Sequence, residues 1–105
     1  MKRIIDMSEI LGTVDLPKGV AEVCASADAD YDQTSGKLVV QLNSFLRPSG
    51  VQTKEEHLTP DWLPRAETIS ESVSLEEARD VARDIFHRWV RKVREASPCL
   101  HSPSF

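Results

Sequence analysis

The chain is poor in several features that would define a function class. It has only two cysteines, Cys24 and Cys99, which excludes the disulfide frameworks that staple small secreted domains. Its four glycines, Gly12, Gly19, Gly36 and Gly50, are scattered, so there is no P-loop, no dinucleotide fingerprint and no Gly-x-Ser-x-Gly elbow. No apolar run approaches the roughly 18 residues of a membrane span. Met1-Lys2-Arg3-Ile4-Ile5 starts like a signal peptide, but Asp6, Glu9 and Asp15 interrupt it, well short of the roughly 7–15 apolar residues a secretory segment needs. These absences lead us to expect a cytoplasmic protein with two free thiols, no cofactor and no membrane partner.

What is present is an ordinary globular composition. The chain has 105 residues, 40% hydrophobic and 29% charged, and 13 Lys and Arg against 17 Asp and Glu give a net charge of −4. That length supports one core without staples. A mild acidic excess argues against a body built as a glove for nucleic acid.

The C-terminal region carries the clearest pattern. Leu75, Ala78, Val81, Ala82, Ile85, Phe86, Trp89, Val90, Val93 and Ala96 fall on one half of a helical wheel, opposite a charged half. Ser74-Leu75-Glu76-Glu77 reads as a capping box at its start, and Ser97-Pro98 ends it. So wide an apolar stripe suits packing on a sheet better than a coiled-coil seam. Upstream, Ala21, Val23, Ala25, Ala27, Ala29 and Tyr31 alternate with Glu22, Cys24, Ser26, Asp28 and Asp30, the period of a half-buried strand. Gln33-Thr34-Ser35-Gly36 is a turn with glycine supplying positive φ. The return strand then places Leu38 against Tyr31, Val40 against Ala29 and Leu42 against Ala27. That register puts Leu38, Val40 and Leu42 on the same face as the alanines and Tyr31, and a slip of one residue destroys it. The row of alanines leaves room for Phe86 and Trp89 to approach closely.

The N-terminal part reads less sharply. Ile10, Gly12, Val14 and Leu16 alternate with Glu9, Leu11, Thr13 and Asp15, giving a strand with Ile10 on the inner side. Residues 1–8 read as another short strand or one helical turn. The segment 48–73, with Pro48, Gly50, Pro60 and Pro64, is long for a structureless connection. Thr59 and Pro60 suit a short helical start, and 66–73 suits a fourth strand with Ile69 and Val73 inward. Residues 98–105 are expected to form a flexible tail. The fold expected is therefore α+β: one domain over 1–97, with a three- or four-stranded antiparallel meander around a central hairpin, packed on one long C-terminal helix.

Several motifs invite chemistry and fall short of it. Asp28, Asp30 and Asp32 mimic the start of a calcium loop, but Gln33 and Val39 stand where that loop needs glycine and glutamate. The acids instead read as a solvent-facing row relieved by Lys37. Cys99 and His101 have no second ligand pair to complete a zinc site, so no metal is expected. His57 and His87 lack a nucleophile or an orienting partner. The basic helix end around Arg88 and Arg91 could grip phosphate, but basic residues also suit a helix C-terminus, and Asp84–Arg88 and Arg91–Glu95 are spaced to pair. Trp62 and Leu63, between two prolines, are either an anchor for the long loop or a wedge for a partner. Phe45 and Val39 fall on the sheet face opposite the helix, where one helix cannot cover them.

The expected function is a small non-enzymatic protein-interaction, regulatory or assembly module. It would contact a protein partner or a second copy through Phe45, Val39, Trp62, Leu63, Arg88 and Arg91. Two alternatives are nucleic-acid binding through the basic helix end, and a ligand-binding domain or enzyme using 48–73 as a lid over His57 or Trp62.

Overall fold

The computed structural model describes residues 1–17, 19–48, 60–98 and 100–101. His57, Thr59 and Cys99 lie outside these residues, as does the 49–59 part of the 48–73 segment read as a lid, while the helical start expected from Thr59 is seen from Pro60 on as a turn in which the Leu63 N–H donates to the Pro60 carbonyl at 3.1 Å. The fold is α+β. Strands β1 (Lys2–Leu16), β2 (Gly19–Asp32), β3 (Lys37–Pro48) and β4 (Glu67–Ser72) form one antiparallel sheet in the order β1-β2-β3-β4, followed by helix α1 (Leu75–Ala96). Among the described residues no helix is long and apolar enough to cross a membrane.

The central hairpin has the register that its side-chain pattern dictates. Tyr31 pairs with Leu38, Ala29 with Val40, Ala27 with Leu42 and Cys24 with Phe45. The turn closes where the Gly36 N–H donates to the Asp32 carbonyl at 2.8 Å. Gly36 sits at φ 71°, a conformation that glycine reaches without steric cost. The Asp32 side chain accepts from the Thr34 N–H at 3.0 Å. That bond and those from Ser35 hold the Asp32 carboxyl below its ordinary value, because they favour the charged form.

β1 departs from the sequence reading in two ways. Residues 2–16 are one continuous strand, so neither the separate short strand nor the helical turn over 1–8 exists. The register also shifts between Arg3 and Ile5 and again between Ile10 and Gly12. Each shift is a bulge, in which one extra residue changes which side chains point inward. The second bulge turns Leu11 into the core at 2% exposure and leaves Ile10, paired with Cys24, on the opposite face. Simple alternation placed these two residues the other way round.

The core lies between the sheet and α1. Ala21, Ala25, Ala27 and Ala29 pave the middle of the sheet, and Ile85, Phe86, Trp89 and Val93 pack over it. Leu75, expected on the apolar stripe, is instead 55% exposed, while Ala78 in the same turn is fully buried. Ser74 is the N-cap residue but its side chain makes no capping bond. The Glu77 N–H donates to the Ser74 backbone carbonyl at 3.1 Å instead, so the capping box is not formed. Two polar tethers fix the helix. Trp89 Nε1 donates to the Asn43 carbonyl at 2.8 Å, and Tyr31 Oη donates to the Val73 carbonyl at 2.8 Å. The second tether sits just before α1, where the Val73 N–H also donates to the Gly36 carbonyl at 3.0 Å. The turn of the central hairpin thereby sets where the helix begins.

Candidate functional site

The six candidate contact residues fall in three separate places. Val39 and Phe45 lie on the far face of the sheet, away from α1, as the register requires. Val39 pairs with Asp30, and Phe45 pairs with Cys24 and is 38% exposed. Trp62 and Leu63 are on the other side, partly buried against the helix-side core. Their segment is pinned where Ser44 Oγ donates to the Pro64 carbonyl at 2.7 Å, which is the geometry of an anchor. Arg88 and Arg91 are exposed on α1.

Alternation assigns to the far face Ser8 and Ile10 from β1, Cys24 and Ser26 from β2, Val39, Asn43 and Phe45 from β3, and Thr68 and Ser70 from β4. Ser8, Glu9, Ile10, Cys24, Phe45 and Arg47 line a shallow hollow of about 500 Å³. Cys24 forms its floor as a free thiol at 3% exposure. Desolvation pushes this thiol's pKa up, and nearby Arg47 partly opposes the shift. A buried, protonated thiol is a poor nucleophile, so the geometry offers packing rather than chemistry. Sequence reasoning placed Cys24 opposite Phe45 but missed Ile10, because the β1 bulge that brings it here leaves no mark in the local alternation.

The two ends of the far face are held by cross-strand ion pairs. Arg3 on β1 reaches Asp30 at 3.2 Å and Asp28 at 3.9 Å. Its guanidinium pKa is raised, chiefly by the hydrogen bond to Asp30. Arg3 thus relieves Asp30 and Asp28, and Lys37 stands across from Asp32. At the opposite end Arg47 meets Glu22 at 3.0 Å.

The basic helix end is engaged with the protein itself. Arg88 pairs with Asp84 at 3.0 Å, as its spacing suggests. The Arg91–Glu95 pair does not form among the described residues. Lys92 bonds Glu67 at the start of β4, and its ammonium lies 5.5 Å from the centroid of the Trp89 ring, within cation–π range. Among the described residues no three His, Cys, Asp or Glu side chains are gathered so as to hold a metal ion.

No family model, no curated protein and no solved structure matches the chain.

Proposed function

We propose that this chain is a small non-enzymatic interaction module, of the regulatory or assembly kind, which works through the far face of its sheet. The observation that carries the reading is the group Ile10, Cys24 and Phe45 at one end of that face, with Phe45 at 38% exposure and no layer over it among the described residues. A sheet with one face on a helix keeps its other face polar when that face meets only water. An aromatic and a branched aliphatic side chain set around a buried thiol depart from that pattern.

The occupant we favour is a second copy. The face carries both signs of charge, with Asp28, Asp30 and Glu22 beside Arg3 and Arg47. A two-fold pairing can therefore match charge without a foreign complement. The internal engagement of Arg88 and Lys92 weighs against the helix end as a phosphate grip.

Light scattering over a concentration series tests this reading. The wild-type chain is expected to form dimers that dissociate on dilution. Phe45→Asp should weaken them at least about tenfold, the effect of losing one buried anchor, while leaving the circular dichroism unchanged. A wild-type chain that stays monomeric throughout the series overturns the proposal.

A further inference from the structure

The edge of β1 carries a feature that the far face does not explain. After α1 the chain turns back, and His101 forms an antiparallel bridge to Thr13 on the side of β1 away from β2. The Thr13 N–H donates to the His101 carbonyl, and the His101 N–H donates to the Thr13 carbonyl, both at 2.9 Å. Leu100 packs against the core, and His101 Nε2 lies 3.4 Å from Asp15 Oδ2. The tail expected to be free from residue 98 onward is thus seated at these two residues.

The seat is built into β1. A Cβ at Gly12 would overlap the His101 carbonyl oxygen and lie 2.9 Å from Leu100 Cγ, so only glycine lets the segment approach. Gly12 also ends the second bulge, so one local distortion turns Leu11 inward and clears the path for Leu100. Prolines at 98 and 103 flank the bridging pair in sequence. Proline donates no ladder hydrogen bond, so the flanking chain is unsuited to act as a full fifth strand. A short, proline-bracketed cover on a long edge strand is a device for stopping further strands from adding.

We propose that Leu100 and His101 are a guard on the β1 edge, and that the strand they exclude is β1 of a second copy. β1 is the longest strand of the sheet at 15 residues. Its first residue, Lys2, is basic, with Arg3 beside it turned to Asp30 and Asp28 of β2, and its later charged residues, Asp6, Glu9 and Asp15, are acidic. Antiparallel pairing of two such edges lays the basic start of each along the acidic remainder of the other. The pairing is isologous and closes at two subunits. It is a separate surface from the far face, so it stands whether or not that reading does.

The test is made in the Phe45→Asp chain, at concentrations where association through the weakened far face is absent. Into it go Leu100→Asp and His101→Pro, which leave the β1 backbone untouched. With the guard seated, the Thr13 amide should be protected from hydrogen exchange and the protein monomeric by sedimentation. With the guard released, the amide should lose that protection at low concentration and the protein should dimerise at least about tenfold more tightly. Lys2→Glu in the released protein should weaken that dimer. Gly12→Val is expected to release the guard in the same way, and if it fails to fold the two tail substitutions still decide. A released protein that remains monomeric overturns the proposal. So does a Thr13 amide that exchanges freely before release.

Discussion

At the scale of single residues, a few side chains carry polar duties inside an apolar core. Trp89 fills the space above the alanine row while its Nε1 satisfies the Asn43 carbonyl. Trp89→Phe removes both ring volume and that bond, and chemical denaturation should show a loss of about 2–3 kcal/mol. Tyr31→Phe keeps the ring and removes only the bond to the Val73 carbonyl, so about 1–2 kcal/mol is expected. Cys24 makes a prediction in pH. Its pKa is raised by burial, so the native state keeps a proton that the unfolded chain releases once pH passes the ordinary thiol range of about 8.5. Stability should therefore fall as pH rises beyond that range, and the fall should be smaller in Cys24→Ala. A denaturation midpoint measured from pH 7 to 10 in both proteins checks the sign. Much of this was legible in the sequence. The partner of Cys24 and the inward position of Trp89 follow from periodicity, whereas the carbonyls that bond Trp89 and Tyr31 belong to backbone more than 40 residues away in sequence.

At the scale of elements, the packing of helix on sheet rests on small residues below and large ones above. Ala25 and Ala29 are fully buried and Ala27 nearly so, directly under the helix. Ala27→Leu adds volume where none is free and should cost about 1–3 kcal/mol, read as a lowered denaturation midpoint. The start of α1 offers the opposite expectation. A serine N-cap that bonds the first turn is worth about 1 kcal/mol, but Ser74 makes no such bond. Ser74→Ala should leave thermal stability nearly unchanged, and a loss of the usual size would mean that the side chain caps the helix after all. The capping-box motif was visible in the sequence, yet the approach of the chain to the helix is set by the Tyr31 and Gly36 contacts to Val73. β4 was legible for a different reason: Ile69 needed a partner on the inner face and found Val40.

At the scale of the whole molecule, charge is distributed unevenly. Residues 75–96 hold six of the 13 basic and five of the 17 acidic side chains, so the net negative charge belongs to the sheet and its connections. The ion pairs on the far face are largely exposed at their arginines, and salt screens such pairs readily. Global stability should accordingly change little between low and high ionic strength, as a urea midpoint measured at both will report. A dimer formed through β1 edges should respond differently. Its alignment of Lys2 with acidic residues brings charge together across two chains, and added salt should weaken it.

The amino-acid sequence by itself determined the two elements whose side chains repeat with a single clear period. The hairpin over residues 20–47 and the helix over 75–96 each sort most of their apolar residues onto one face, and burial rewards that arrangement. That no helix lies over the far face among the described residues also follows from that sorting, because one helix covers one side of a sheet. What tertiary structure alone decided is where the period breaks. The bulge that exchanges Ile10 and Leu11 between faces, the place Gly12 clears for Leu100, and the pairing of Arg3 with Asp30 all depend on residues far apart in the chain. A bulge costs one ladder position and is repaid only by the packing it permits. That packing exists once β2, α1 and the returning C-terminal segment are assembled around β1, which is why the alternation within β1 carries no sign of it.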